Sequence, residues 1–397
     1  MKKQIIAATT LALLSTGAFA SKARMAALGQ STNGSFYMQD DSRYIFSNPA
    51  GLNEMTNYVT VETGTARNGG AAPTSNATPS AEGGFFRQVG SFSYGVYLGG
   101  DRDNNNSLRN NTAATNADTV AYALLSNQST FATGITRAAA TGFLNTGNSA
   151  DVFIGGDAGL QWGARVNIST DKYDVGSAGL KQNALGVSFG VIMGSLDAYV
   201  NADLSDKSEG ALTTGKTSKW EADLGLRIGA NYKIMGMNVF GEYDKSGFKY
   251  TNTGVLTTTG KSTVITVGAA KVWDMGEKGR WFTDIKVRST SVSLDNATTK
   301  AELGALSVPL TAGFEADAAS WLTLRGSVSS SVFGDGEYKG MAAAKNGKFK
   351  NGQTTGIGAG ATLKFGQVVI DGSLQGVGTG TLTTSILLGD VSLTYNF

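Results

Sequence analysis

The sequence predicts an all-β protein, a transmembrane antiparallel β-barrel of about 14–16 strands with an N-terminal plug-like segment. Three observations predict this fold: long stretches in which apolar and polar residues alternate, an aromatic residue at the end of the chain, and an excess of glycine over proline. The 397 residues include 54 glycines and 4 prolines. A large sheet whose backbone N–H groups all need partners excludes proline and tolerates glycine.

The first twenty residues have the pattern of a secretory signal peptide. Lys2 and Lys3 precede an apolar stretch at positions 5–14, and positions 18–20 read Ala-Phe-Ala, a small-residue cleavage site. This apolar stretch is shorter than the roughly 18 residues of a membrane-spanning helix, and no later stretch reaches that length. We therefore expect an exported chain that begins at Ser21 and crosses a membrane only as strands.

Charge and residue usage exclude several functions. The mature chain would be neutral, because the formal net charge of +2 includes the two signal-peptide lysines. This balance gives no basic footprint for nucleic acid. The chain has no histidine and no cysteine, which removes disulfides, His or Cys metal sites and histidine-dependent hydrolases. We expect neither an enzyme nor a cofactor nor a metal site.

The strictest alternation runs from Lys219 to Lys233. Its even positions carry apolar residues such as Trp220 and Leu226, and its odd positions carry polar, charged or glycine residues such as Arg227. Successive side chains of a strand point to opposite faces. Twelve steps of about 3.4 Å, tilted by about 40°, climb roughly 30 Å, which is near the height of an apolar barrel band with its aromatic girdles.

Similar segments recur over positions 57–397, the predicted barrel. Connections between them alternate between very short turns and longer polar loops, as in outer-membrane barrels. A secreted β-sandwich also alternates, but its strands are shorter and its outer face is polar. With Lys219–Lys233 we count fifteen strands, leaving positions 100–158 unassigned, and even strand counts predict 14 or 16. The other segments are Asn57–Ala66, Gly83–Arg87, Ser91–Gly99, Gly159–Thr170, Leu185–Met193, Leu196–Leu204, Met237–Tyr250, Thr263–Trp273, Trp281–Leu294, Leu306–Asp317, Leu322–Phe333, Thr355–Phe365, Val368–Gln375 and Leu382–Phe397.

The last strand has the form of an assembly signal. Leu393, Tyr395 and Phe397 alternate with polar residues, and the chain ends on an aromatic side chain. This pattern resembles the terminal strand by which outer-membrane barrels are recognised for assembly. It predicts the bacterial outer membrane as location and the assembly machinery as a partner.

Ten charged residues fall on predicted inward faces. A charge facing lipid at the bilayer midplane costs about 2–4 kcal/mol for Arg or Lys, so the lumen is the favourable place. They either line water or pair with one another across a plugged lumen. The candidates are Arg165, Glu221, Asp223, Arg227, Asp284, Lys286, Arg288, Glu315, Asp317 and Arg325.

The segment 21–56 precedes the first predicted strand and contains the turn Asn48-Pro49-Ala50. It is either a periplasmic tail or a plug folded into the barrel mouth, and its aromatic residues favour the plug. Positions 24–29 (Arg-Met-Ala-Ala-Leu-Gly), a following Asp-Asp pair and this turn resemble the N-terminal hatch of FadL-type transporters. That resemblance implies a carrier of fatty acids or other hydrophobic compounds.

A second resemblance involves positions 162–165 (Trp-Gly-Ala-Arg) and the run from Pro309 to Arg325. These residues look like the porin-like major outer-membrane proteins of predatory bacteria (PopA-like proteins). Members of that group assemble into rings that enclose lipid. The resemblance implies a homo-oligomeric ring that gives passive solute passage, encloses lipid, or does both.

Three alternatives therefore remain: a porin-like ring, a FadL-like transporter of hydrophobic compounds, and a non-conducting barrel that organises lipid. An alanine-rich stretch at 116–143 predicts a helical insertion that would either narrow the pore or contact partners. Small residues on outward faces favour close subunit contact. Basic residues of the 335–352 loop could meet lipopolysaccharide phosphates, or be merely solvated; they are Lys339, Lys345, Lys348 and Lys350.

Overall fold

The computed structural model describes residues 21–64 (without 33), 80–100, 149–175, 178–213, 216–252, 256–296, 300–341, 344–350, 355–377 and 389–397. The predicted signal peptide at 1–20 and the predicted helical insertion at 116–143 lie outside these residues. Within the described ranges no helix is long and apolar enough to cross a membrane.

The structure is a closed antiparallel barrel of 16 strands, so the predicted fold class is confirmed. β1 pairs with β2 on one side and with β18 on the other, which closes the sheet. Two barrel strands are interrupted and appear as the pairs β8/β9 and β15/β16. The segments are β1 Tyr58–Gly64, β2 Ser80–Val89, β3 Phe92–Leu98, β4 Ser149–Asp157, β5 Gln161–Val175, β6 Ala178–Met193, β7 Leu196–Thr213, β8 Lys216–Ala222, β9 Gly225–Ile234, β10 Met237–Asn252, β11 Leu256–Asp274, β12 Gly279–Asn296, β13 Lys300–Ala319, β14 Leu322–Met341, β15 Ala344–Lys350, β16 Thr355–Phe365, β17 Val368–Val377 and β18 Asp390–Asn396.

The two ends of the barrel differ. At one end β1 begins, β18 ends and the strands are joined by short turns, such as Met235-Gly236, which has positive φ at both residues. Such two-residue turns match the twist of the strands that they join. At the other end the strands continue into longer hairpins. Because outer-membrane barrels have short periplasmic turns, the short-turn end is the periplasmic one.

The outer face carries an apolar band. Val267 and Ile285 are 50% and 47% exposed on its middle rows, and Trp273 stacks on Trp281 at 3.8 Å near the short-turn end. Buried positions on the opposite face are largely polar. A closed barrel with an apolar outside and a polar inside spans a bacterial outer membrane. Exposed aromatic residues near the short-turn end are Phe92, Tyr232, Trp281, Phe314, Trp321, Phe365, Tyr395 and Phe397.

The strand predicted at Lys219–Lys233 is broken by a bulge. β10 pairs Lys245 with Leu226 but Phe248 with Ala222, so β8/β9 contains one extra residue near positions 223–224. An inserted residue moves every later side chain to the other face of the sheet.

The bulge changes the predicted facing of four residues. Leu226 stays on the outer face of β9, whereas Trp220 in β8 is fully buried on the lumen side, with Ala222 beside it. The expectation that Glu221 and Asp223 face the lumen is corrected: both lie on the outer face. The Glu221 side chain is 51% exposed and forms an ion pair there with Lys207 at 3.5 Å.

Candidate functional site

Residues 21–56 lie inside the barrel at its short-turn end. Helix α1 (Lys22–Ala27) is capped at its N-terminus by Ser21, whose hydroxyl accepts a hydrogen bond from the Arg24 N–H. Two short 3-10 turns follow, Ser42–Phe46 capped by Asp41 and Pro49–Asn53 capped by Asn48. These caps satisfy backbone N–H groups that are shielded from water. We call this segment the plug.

Arg24 anchors the plug to the wall. Its guanidinium donates to both carboxylate oxygens of Glu315 in β13, at 2.8 and 3.1 Å, and also pairs with Asp40 and Asp41 of the plug. Glu315 is shared with Arg325 of β14. Such two-point arginine–carboxylate contacts are strong and directional. The plug and two strands of the wall are therefore joined in one charged network.

Burial acts against the charges of this network. On its own it would lower the pKa of Arg24, but Glu315, Asp40 and Asp41 raise that pKa well above its ordinary value. Burial raises the pKa of Asp41 to about 7, although Arg24 beside it opposes the shift. Arg24 therefore keeps its charge, and its removal would leave the buried carboxyl of Asp41 without its ion-pair partner.

A second arginine fixes another side of the plug. The Arg43 guanidinium contacts Glu62 of β1 at 3.3 Å and Glu82 of β2 at 3.0 Å, and donates to the Tyr97 hydroxyl of β3 at 2.9 Å. It also lies 4.2 Å above the Phe46 ring, which packs in an apolar cluster with the wall. All of these contacts are buried.

The Asn48-Pro49 turn fits against two glycines of the wall. A Cβ atom at Gly190 would lie 1.8 Å from the Asn48 side-chain oxygen, and one at Gly163 would lie 2.2 Å from the Pro49 carbonyl oxygen. The Asn48 amide donates to Asp197 of β7 at 2.5 Å. Larger residues at these two wall positions would therefore displace the turn.

Aromatic side chains complete the contact with the wall. Phe36 stacks on Phe240 of β10 at 4.6 Å, and the Tyr37 hydroxyl donates to Asp284 of β12 at 2.6 Å. Together with the Arg24, Arg43 and Asn48 contacts, the plug meets the wall around nearly the whole circumference. It therefore fills the periplasmic part of the lumen.

Above the plug the lumen is lined by charged side chains. Arg227 of β9 pairs with Asp244 of β10 at 3.2 Å, and the Tyr199 hydroxyl donates to Glu242 at 2.6 Å. Arg288 of β12 differs from its neighbours: its Nε atom has no hydrogen-bond partner, and it forms no ion pair with the residues that the structure describes. The nearest opposite charges are those of Glu242 and Asp244, each of which contacts another side chain.

Nearer the outer end, the lumen face becomes apolar. Trp220 and Phe248 stack at 6.1 Å, and the Phe248 ring covers Gly260. The buried side chains of this group come from β8, β10, β12 and β13, and we call the group the apolar vestibule. It consists of Trp220, Phe248, Tyr250, Val292, Leu294, Ala301 and Leu303, with Ala222 and Tyr338 packed against it.

The structure places most of the ten predicted inward charges in the lumen. Eight lie on that side or at its rim, where Asp317 pairs with Lys364 at 3.1 Å; Glu221 and Asp223 do not. Asp284, Glu315 and Arg325 contact the plug or its partners directly. The remaining lumen residues among the ten are Arg165, Arg227, Lys286 and Arg288.

Sequence reasoning missed the residues that hold the plug and form the vestibule. Arg24 and Arg43 belong to the segment 21–56, which its aromatic residues predicted to be a plug. Nothing in the spacing of the two arginines indicates that they are buried. Asp371 pairs with Arg325 at 3.1 Å. The sequence could have indicated that it faces the lumen, because it is a charged residue between Ile370 and Gly372 in a predicted strand.

Comparison with known proteins adds information on the fold alone. No protein-family model and no curated protein matches the chain. Among solved structures, a FadL homologue from Pseudomonas aeruginosa covers 95% of this chain and 98% of its own, with 10% identity and a TM-score of 0.43. A mutant of the Rh. blastica porin covers 86% of this chain and 99% of its own, with 12% identity and a TM-score of 0.29.

A third match is the siderophore receptor PiuA from Acinetobacter baumannii, with 11% identity and a TM-score of 0.38. It covers 57% of this chain, and this chain spans only 47% of the receptor. The matches are outer-membrane barrels of the channel, porin and receptor kinds. Membership in the porin-like group of predatory bacteria stays a prediction.

Proposed function

We propose that this barrel is a plugged outer-membrane channel for amphipathic, largely hydrophobic molecules. One observation carries the proposal: the lumen has an apolar vestibule at its outer end and a plug with buried charges at its periplasmic end. A solute would bind in the vestibule and leave when the plug moves. This is the FadL-like alternative of the three functions considered from the sequence.

An open porin is less consistent with this lumen. Passive passage of small polar solutes needs a continuous water-filled path, whereas the plug contacts the wall around nearly the whole circumference. Its Arg24 and Arg43 side chains are 0% and 2% exposed. Apolar side chains on the inner wall also argue against a water-filled pore, because apolar surface in contact with water costs free energy.

The spacing along β12 indicates the class of solute. Leu294 of the vestibule and Arg288 face the lumen from the same strand, six residues and roughly 20 Å apart. A carboxylate at Arg288 would place an extended hydrocarbon chain of that length along the vestibule. We therefore propose a long-chain molecule with one acidic head group.

Two comparisons test this proposal. Purified protein should bind a fluorescent long-chain carboxylate about tenfold more weakly when Arg288→Gln removes the charge, because hydrogen bonds to charged groups contribute about 1.5–3 kcal/mol. Binding of the corresponding alcohol should not change. Equal binding of the carboxylate by both proteins would contradict the head-group assignment.

The movement of the plug is tested by locking it. The chain has no native cysteine, so Asn48→Cys with Asp197→Cys introduces one defined pair between the plug and β7. Oxidation should stop uptake and reduction should restore it. In the control, Asn48→Cys alone leaves the plug without a partner cysteine in the wall, so oxidation should not change uptake. Uptake that persists in the locked protein would contradict the proposal.

The homo-oligomeric ring that encloses lipid is a separate proposal. Ala198 of β7 and Ala230 of β9 stand opposite each other on the outer face, with Ala202 nearby. Small residues let surfaces approach closely in a membrane. Native mass measurement after gentle extraction tests it: a defined multimer with bound phospholipid supports the ring, and a single barrel without lipid contradicts it.

A further inference from the structure

Three lysines form a cluster on the outer face, just above the apolar band. Lys245 and Lys249 lie on β10 on either side of Gly247, and Lys261 on β11 stands directly opposite Gly247. Lys261 is therefore a diagonal neighbour of both other lysines, about 7–8 Å away between Cα atoms. All three belong to the outward-facing rows, since Phe240 and Phe248 of β10 face the lumen.

These lysines are not neutralised by the protein. None of them forms an ion pair with the described residues, in contrast to Lys207 and Lys219 on neighbouring strands, which pair with Glu221 and Glu209. Two carboxylates adjoin the cluster: Asp223 lies close to Gly247, and Glu221 stands opposite Lys249 but forms its ion pair with Lys207. The cluster therefore keeps a net positive charge. Like charges so close together on one face favour binding of an anion.

The surface below the cluster is apolar. Tyr243 of β10 and Ile265 of β11 follow on the same outward rows and are 36% and 47% exposed, and Ile228 of β9 is 48% exposed. The cluster lies toward the end opposite the short turns, so it faces the outer leaflet. A molecule with hydrocarbon chains on these side chains would place its head group at the lysines.

We propose that the cluster of Lys245, Lys249 and Lys261 binds the phosphate groups of lipopolysaccharide in the outer leaflet. Its acyl chains pack on the apolar rows below, and its phosphates lie among the three ammonium groups. Lipopolysaccharide has both features, and a free phosphate would gain nothing from the apolar rows. This site is on the outside of the barrel and is independent of the plug and of the transported solute.

The test is lipopolysaccharide binding by the detergent-purified barrel. Each lysine near an anionic lipid surface contributes about 1 kcal/mol, so the variant Lys245→Gln/Lys249→Gln/Lys261→Gln should bind about a hundredfold more weakly. The matched control changes Lys233, Lys271 and Lys278 to glutamine. These lysines lie at the short-turn end of β9 and β11 and in the turn that follows β11, away from the outer leaflet. This control should change the affinity by less than about twofold.

A second comparison uses lipopolysaccharide from which the phosphates have been removed. The wild-type barrel should bind it about as weakly as the cluster variant binds the intact lipid. Heat-modifiable gel mobility shows that each variant is folded before binding is measured. Unchanged affinity in the cluster variant, or equal binding of intact and phosphate-free lipid, would overturn the proposal.

Discussion

Arg24 of the plug and Glu315 of the wall are 291 residues apart in the chain and are joined by two hydrogen bonds, of 2.8 and 3.1 Å. Arg24 also pairs with Asp40 and Asp41, and Glu315 also pairs with Arg325 and Arg280. This contact fixes helix α1 against β13. It is one of the buried links between the plug and the barrel, beside those of Arg43.

Replacing Arg24 with methionine should release the plug. Removing one partner of a buried ion pair costs about 3–5 kcal/mol, and here the buried Asp41 carboxyl loses its ion-pair partner while Glu315 loses its link to the plug helix. Protease sensitivity of the plug in the folded barrel measures the effect. The control Lys364→Gln removes an ion pair with Asp317 at the rim, where both side chains are partly exposed, and should have little effect. Equal sensitivity of the two variants would contradict the role of Arg24.

The bulge between β8 and β9 makes a prediction about two adjacent residues. Trp220→Ser should destabilise the barrel by about 3–5 kcal/mol, because a large buried side chain is lost from the vestibule. Glu221→Ser should change the unfolding free energy by less than about 0.5 kcal/mol, because that side chain is exposed on the outer face. Urea unfolding in lipid vesicles measures both. A larger effect for Glu221 would mean that no bulge exists.

The two wall glycines beside the Asn48-Pro49 turn should resist substitution. Gly190→Ala should destabilise by about 1–3 kcal/mol, because the new methyl group overlaps the Asn48 side chain. Gly372→Ala is the matched control, since a Cβ there meets no atom within 4 Å. Thermal unfolding of the two variants gives the comparison. Equal unfolding midpoints would argue against close packing of the Asn48-Pro49 turn on Gly190.

Deletion of Phe397 should lower the amount of folded barrel in the outer membrane. Its ring stacks on Phe85 at 5.6 Å, and its N–H donates to the Asn57 carbonyl at 3.0 Å, beside the seam where β1 meets β18. The quantity to measure is the heat-modifiable fraction in purified outer membranes. Asn396→Ser, which keeps the terminal aromatic residue, serves as the control. Normal abundance of the deletion variant would contradict an assembly role.

Local alternation was enough to predict the barrel, because the apolar and polar residues of each strand indicate which face meets lipid and which meets the lumen. It could not predict the reversal at Trp220, since the bulge inserts one residue where the apolar pattern continues unbroken. The contact between Arg24 and Glu315 was also beyond local pattern, because it exists only once the barrel has closed. The Asn48-Pro49 turn was recognisable from residue types that favour turns, but its fit to Gly163 and Gly190 depends on the wall.

Single-channel conductance in a planar bilayer shows whether the plug closes the lumen, by comparing the full chain with a variant that lacks residues 25–53. The plug contacts the wall around nearly the whole circumference, so the full chain should give no large stepwise currents. The deletion variant, with its wall strands intact, should conduct in large uniform steps. Large stepwise currents from the full chain, equal to those of the deletion variant, would contradict a lumen closed by its N-terminal segment.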